Sequence, residues 1–502
     1  MWTEFFSRTD FQMILPQVQL ALFGLGILLT DFLLEPRYKH WNAVLAMAGV
    51  GFSGYSLWQL YARLRYENAD GFLGFNRSVL VDHFFIFFGF IFLAATALVI
   101  LLSVRYMEIE AEHHGEYYAL MLFATIGMMF MTSGIDLIVQ FIALETMAIS
   151  FYILVGFLRG DRRSNEGALK YLLLGAFSSG ILAYGFSILY GLAGSTNLIV
   201  ITNKIVTRAP GDMLVLLALV TASAGLFFKV AAVPFHQWAP DVYEGAPTSI
   251  TAYVSVASKT ASFALLLRLF QTAFWPSRDN WVVLLAAVAV ASMTVGNFAA
   301  LTQSNIKRLL AYSSISHVGY ILLGLVAGNE TGLRGMAFYL FAYAFFNTGA
   351  FAIVILLRRE GLIGDDLEDL NGLVQRSPTA AILLLIFMLS LAGIPPTAGF
   401  IGKYYIFLSL IQAGGTTGRH FYYWLAVFAA LYILPAVYYY FRIVVHAWMR
   451  ESTDPVRPTI SPAQAVALTA TVVVTLVAGI YPEPFVRMAG YSLFLPFGPL
   501  GR

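Results

Sequence analysis

Long apolar runs, interrupted at intervals by short polar stretches, recur along the whole of this 502-residue chain. A helix needs about 20 apolar residues to cross the hydrocarbon core of a bilayer. Runs of that kind predict about fourteen membrane helices. They cover residues 11–31, 41–61, 80–104, 117–134, 136–157, 167–192, 212–238, 247–272, 281–302, 306–327, 333–357, 378–413, 421–447 and 461–481. The polar connections are short; the longest are 63–77, 105–116, 195–212, 358–376 and 450–462. The run 11–31 reads as the first membrane helix rather than a cleaved signal, because Pro16 interrupts it and no small-residue cleavage site follows. Asp136, at the head of the fifth run, reads as a helix cap, where a carboxylate suits the helix dipole.

Two of the runs are broken. The seventh, 212–238, carries Lys229, then Pro234, His236 and Trp238. The twelfth, 378–413, carries Pro395, Pro396, Gly399, Gly402 and Lys403. A lysine must be desolvated there, and a proline removes a backbone donor. Membrane proteins tolerate both where a broken helix lines an internal polar cavity. If helices 4–8 and 9–13 are two copies of a five-helix unit, each break falls in the fourth helix of its copy. An odd helix count per copy sets the two copies in opposite membrane orientations, the pattern of inverted-repeat transporters. The predicted fold is an all-α polytopic membrane protein with two inverted five-helix repeats, each with a broken helix. The predicted divisions are 1–116 (three helices), 117–275 and 276–450 (the repeats) and 451–502 (a last helix and tail). The same pairing sets Glu145 roughly opposite His317.

Composition agrees with the pattern. Residues are 59% hydrophobic and 12% charged, where soluble domains carry roughly 25% charged residues. The formal net charge is +2 with no basic patch to grip phosphate, so a nucleic-acid partner is set aside. There is no cysteine, which excludes disulfides and a Cys-ligated iron–sulfur cluster. Loops after odd-numbered helices, with the adjoining helix ends, hold fourteen Lys and Arg residues against eleven on the other side. By the positive-inside rule both termini face away from the cytoplasm.

Five cations remain inside the runs: Lys170, Lys229, Lys259, Arg268 and Lys403, joined by Glu145. A lone charge at the bilayer centre costs on the order of 2.5–3.5 kcal/mol on insertion scales, so such groups survive when paired or hydrated and mark ion pathways. Burial lowers a lysine's pKa and a nearby carboxylate raises it again, so a lysine balanced between the two exchanges protons near neutral pH. A row of lysines biased at one end by Glu145 is a physical proton relay, with His236 and His317 as intermediates. The bland alternative is a set of structural ion pairs, against which stands the excess of lysines over one glutamate. Lys170, a few residues into its helix, could snorkel to the interface. Arg268, near a helix end and unable to deprotonate readily, reads as structural. Gln303, Ser313, Ser314, Ser316 and Asn347 could hold water or pack helices. His83, His113 and His114 lack ligand spacing, so no metal is expected. Residues 49–54 match G-x-G-x-x-G inside a membrane helix with no preceding strand, which reads as helix packing. The acidic run 365–369 reads as a solvated loop.

Three segments carry a family likeness. FFKVAAVPFHQWAPDVYEGAPTSITAYVSVASKTASFA, QSNIKRLLAYSSISHVGY and LAGIPPTAGFIGKYY resemble the proton-translocating, antiporter-like subunits of respiratory complex I. The likeness extends over residues 117–450, and DVYEGAPT with SKTASFA resembles the subunit N branch. The resemblance implies Glu145 and Lys170 as functional residues, Lys229 as the lysine of an input half-channel, Lys259 as the central connection and Lys403 as the exit-side lysine. It implies neighbouring membrane subunits on both flanks, the lipid bilayer, and a peripheral arm that oxidises NADH. Quinone, flavin and iron–sulfur clusters would belong to other subunits, with no cofactor in this chain. The membrane implied is the bacterial plasma (inner) membrane. Two other readings stay open: a cation/proton antiporter subunit without a redox partner, and a non-transporting membrane scaffold.

Overall fold

The computed structural model describes residues 7–35, 38–110, 112, 115–209, 211–358, 364–452 and 456–491. His113 and His114, and Arg37, Arg359 and Arg502 of the charge count, lie outside the described residues. Every predicted run is helical: Leu15–Asp31, Trp41–Glu67, His83–Ile109, Gly115–Ser133, Leu137–Val155, Arg162–Ala193, Met213–Val230, Thr248–Gln271, Trp275–Leu301, Ile306–Ala327, Glu330–Leu357, Pro378–Ala392 with Ala398–Thr417, Phe421–Met449 and Pro462–Ile480. Ten of these helices are long and apolar enough to cross a membrane. Leu15–Asp31 and Pro378–Ala392 are shorter apolar helices. Pro16 sits in the first turn of its helix, where a missing N–H costs nothing.

The eighth, tenth and eleventh spans form the axis of the molecule. Their apolar windows are 100%, 94% and 94% buried, against 22% for the thirteenth span. The eleventh packs against the third, eighth, tenth, twelfth and fourteenth. Polar side chains on these three helices therefore face protein, not lipid.

Three features differ from the sequence reading. The third span starts later than predicted, because Gly71–Gly74 and Val79–Asp82 pair as an antiparallel hairpin before His83. The strand VLVD runs straight into the apolar helix, which hid it. The connection 195–212 contains a short helix, Leu198–Val206, that buries Leu198, Ile201 and Ile205. The run 365–369 is not simply solvated: Asp365 is buried, with its carboxylate 3.5 Å from the Lys307 ammonium.

One backbone motif occurs twice. At the head of the fifth span, Leu137 N donates to Thr196 O (2.9 Å) and Leu198 N to Ile135 O (2.9 Å). At the head of the tenth, Ile306 N donates to Asp365 O (2.7 Å) and Leu367 N to Ser304 O (3.0 Å). Asp136 and Asn305 cap the two spans with their side chains, so Asp136 is the cap its position suggested. Counted from those caps, Glu145 matches Ser314 rather than His317. The breaks also correspond: Ala231 and Gly393 end the first halves in left-handed conformation, ahead of Pro234 and Pro396.

A buried ion pair locks the face that bears the hairpin. Asp82 caps the third span through Phe85 N (2.8 Å) and receives both terminal nitrogens of Arg268, at 2.6 and 3.1 Å. Arg268 Nε also donates to Thr132 O at 3.1 Å. Two side chains and a backbone carbonyl from the ends of three spans are thus joined away from water. Replacing Asp82 by Ala is expected to cost about 3–5 kcal/mol, the usual penalty for stranding a buried charge. Thermal unfolding of the purified protein in detergent checks this. The double variant Asp82→Leu with Arg268→Met should recover much of the loss.

Candidate functional site: a buried line of titratable side chains

Lys229 occupies the last turn of Met213–Val230 and is 3% exposed. Its ammonium lies 3.8 Å from Glu145 Oε1 and donates to the Tyr152 hydroxyl at 3.3 Å. Glu145, on the fifth span, also accepts a hydrogen bond from Ser179 Oγ at 2.5 Å. The helix ends at Val230, one turn before Pro234, and Ala231 N bonds back to Phe228 O at 3.0 Å. Trp238 Nε1, beyond the break, is a second donor to the same carbonyl at 2.9 Å. His236 is half-buried beside the exposed Pro234.

Lys259 is also 3% exposed, on the eighth span directly after a π-helical stretch, Val254–Ser258. Its ammonium donates to Ser314 Oγ of the tenth span. Asn347 of the eleventh span donates to Ser255 Oγ in the π stretch at 2.8 Å. Between Lys229 and Lys259 stand aromatic rings. Tyr152 meets Tyr171 edge-on at 4.8 Å, and Tyr171 stacks on Trp238 at 4.5 Å.

The tenth span continues the line. His317 shares hydrogen bonds with the hydroxyls of Tyr339 (Nδ1, 2.6 Å) and Tyr440 (Nε2, 2.9 Å). Tyr440 in turn bonds Ser313, one turn back. His317 is within electrostatic reach of both Lys259 and Lys403. Tyr320, one turn on, presents its ring 4.9 Å from the Lys403 ammonium. Lys403, 2% exposed, donates to Ala392 O (2.8 Å) and Leu391 O (3.3 Å). Those are carbonyls that the break at Pro395 and Pro396 frees. Lys229 thus precedes its break while Lys403 follows its own and reaches back.

Lys259 and Lys403 touch hydroxyls and carbonyls; no carboxylate pairs with either among the described residues. Lys170 is placed differently. Its side chain is 42% exposed and paired with Glu166 (2.8 Å) and Asp241 (2.7 Å). The structure does not bring it into the buried line, and its charge is already balanced, so the surplus of ammonium over carboxylate in the interior is smaller than the sequence count suggested. Asp241 belongs to a surface network in which Arg308 bonds both Asp241 and Glu244 at 2.8 Å. Burial pushes the Asp241 carboxyl up, but hydrogen bonds from Lys170 and Arg308 outweigh it and hold it below the usual carboxylate range. At the same face burial raises the Asp365 carboxyl against the pull of Lys307 and Arg358.

Sequence reasoning missed Tyr152, Ser179, Tyr339 and Tyr440 as partners. Nothing in the chain marks them, since tyrosines and serines on membrane helices usually only pack. It also missed Lys307, counted among the charges of the loops and helix ends but 3% exposed, with its ammonium donating to Ala246 O at 2.9 Å. Among the described residues no group of three His, Asp or Glu side chains could hold a metal ion.

A family model described as NADH:quinone oxidoreductase/Mrp antiporter, TM matches residues 134–429. NADH-quinone oxidoreductase subunit N 2 of Solibacter usitatus is 56% identical over 494 residues, covering 98% of this chain and 99% of that one. The chain belongs to the subunit N family. A subunit N from Trichlorobacter lovleyi is 40% identical, covering 98% and 99% of the two chains. Among solved structures, respiratory complex I from Thermus thermophilus with bound aureothin holds a chain that superposes with a TM-score of 0.78 at 31% identity, covering 95% of this chain and 99% of that one. A chain of the Mrp complex from Dietzia sp. shares the fold, with a TM-score of 0.81 at 21% identity and 97% and 98% coverage. Its family and its ten long apolar helices make the chain an integral membrane protein of a respiratory complex, with neighbouring membrane subunits.

Gly393 tests the exit-side geometry. Its φ is +83°, and an added Cβ would meet Lys403 Cδ at 2.7 Å. Gly393→Ala is expected to cost on the order of 1 kcal/mol in backbone strain and to displace the Lys403 ammonium. Proton uptake by NADH-energised vesicles should fall several-fold. Gly415→Ala, whose Cβ meets nothing closer than Tyr423 Oη at 3.7 Å, should leave uptake unchanged.

Proposed function

We propose that this chain carries protons across the membrane along Glu145, Lys229, Lys259, His317 and Lys403, as the proton-translocating subunit N of an NADH:quinone oxidoreductase. The observation that carries the reading is the run of contacts along the tenth span. Ser314 holds Lys259, His317 sits between two tyrosine hydroxyls, and Tyr320 underlies Lys403. Lys259 and Lys403 are held by groups that accept a hydrogen bond without fixing a positive charge. Each can therefore release its proton without stranding a carboxylate.

Protons enter near Lys229, where Glu145 biases the ammonium, pass to Lys259 and His317, and leave from Lys403. Lys170 and Asp241 stand at the mouth of the first half, and His236 at its break is an intermediate. Pro234, Pro395 and Pro396 open the helices that line the two halves. The matched bridges at Asp136 and Asn305 support a division into repeats 117–275 and 276–450, flanked by 1–116 and 451–502. Moving one charge against the membrane potential costs about 2.3 kcal/mol per 100 mV, so the chain needs a redox source. That source is a peripheral arm that oxidises NADH and passes electrons to quinone through cofactors in other subunits, with membrane subunits on both flanks. The membrane is the bacterial inner membrane, with both termini on its non-cytoplasmic side. The antiporter reading is the weaker one, since the Mrp likeness shows fold alone while the 56% relative is a subunit N.

The test uses inverted vesicles containing the complex. Combined Glu145→Ala and Lys229→Ala is expected to abolish most NADH-driven proton uptake, while ATP-driven uptake shows the vesicles remain tight. Full pumping with full quinone reduction in that variant would overturn the relay. NADH:quinone activity that co-purifies with the chain separates the reading from an antiporter, for which sodium-dependent growth at alkaline pH without such activity would speak.

A further inference from the structure

A cavity of about 440 Å³ opens on an exposed face of the molecule, and no residue of the buried line borders it. Four elements wall it: the second span, the third span, the middle of the eleventh, and the C-terminal helix Glu483–Tyr491. Its floor is aromatic, from Phe87, Phe90, Phe341, Phe345 and Phe485. Phe341 and Phe485 stack at 5.4 Å, so the C-terminal helix is fastened to the eleventh span across the cavity wall. At one end the lining turns polar and basic, with Arg65 at the end of the second span and His83 at the start of the third. Tyr61 meets His83 edge-on at 6.2 Å, and the Tyr491 hydroxyl accepts from Arg487 at 3.1 Å. No carboxylate lines the cavity. Arg65 is exposed, and no carboxylate pairs with it among the described residues.

We infer that this cavity is a binding site for one anionic phospholipid, its phosphate at Arg65 and His83 and one acyl chain in the aromatic cleft. The volume is in the range of small-molecule sites. The polarity matches an amphiphile end for end. Tyrosines and a tryptophan, Trp58, ring the basic end, as such side chains do at headgroup depth. The C-terminal helix closes one side with Val486 and Ala489 buried and Arg487 outward, the disposition of a helix lying in the interface plane. A soluble anion would leave the aromatic cleft unused, and an apolar partner helix would leave the exposed Arg65 without a counter-charge.

The test uses the intact complex, delipidated and returned to nanodiscs with a phosphatidylglycerol that bears a photoreactive group at its acyl end. Cross-linked peptides are mapped by mass spectrometry. Labelling is expected in the peptides containing Phe87–Phe90 and Phe485–Met488, and is expected to be weak with the phosphatidylcholine analogue. Arg65→Ala should reduce labelling about fivefold, the worth of one interfacial arginine, and Arg65→Lys should restore it. Ala94→Phe, which fills the cleft without touching the basic end, should abolish it. Equal labelling by the two lipids, or labelling unchanged in both Arg65→Ala and Ala94→Phe, would overturn the site. So would cross-linking of a photoreactive residue at position 90 to a neighbouring subunit rather than to lipid.

Discussion

The structure turns on how an amine can be kept out of water without a fixed counter-ion. A buried ammonium left alone drives its own deprotonation, and one tied to a carboxylate stays charged. Lys259 and Lys403 are given a middle course, since hydroxyls and backbone carbonyls accept their hydrogen bonds and supply no full negative charge. Of the three lysines in the line, Lys229 alone has a carboxylate nearby among the described residues, and at 3.8 Å Glu145 is a neighbour rather than a clamp. By contrast Arg268 and Asp82 are joined face to face and serve as a rivet. The same molecule contains both solutions, and the difference between them separates a group that can change charge from one that cannot.

Broken helices provide the means. An unbroken membrane helix has every backbone group occupied and offers nothing to an incoming amine. A side chain reaches the carbonyls of the helix end at each break: Trp238 is a second donor to Phe228 O at the first, and Lys403 bonds the Leu391 and Ala392 carbonyls that the prolines free at the second. Burial of the eighth, tenth and eleventh spans keeps these groups from lipid. Nearly the whole cost of the breaks is met inside the protein.

The helices and both interruptions were legible in the sequence because hydropathy and proline act locally. So were the buried lysines, since a charge inside an apolar run stands out by itself. What was not legible depended on contacts between distant segments. Lys170 looked like an interior cation until Asp241 was found beside it. Asp365 read as solvated and Lys307 as an interfacial charge at a helix end, yet the two are buried together. Asp82 gave no sign of being the partner of Arg268. The hairpin before the third span was masked because its second strand and the following helix are equally apolar. Glu145 was matched to His317 by counting helices, while the capping residues match it to Ser314, so the two halves hold their lysines with different chemistry.

The tenth span has a mechanical property that follows from its spacing. Ser314, His317 and Tyr320 succeed one another at about one helical turn, and each touches a different part of the line. They are cams on a single shaft. A rotation of that cylinder by a fraction of a turn would part Lys259 from its serine, the imidazole from its tyrosines and Lys403 from its ring in one stroke. Conduction along the line would then be switched as a unit rather than link by link.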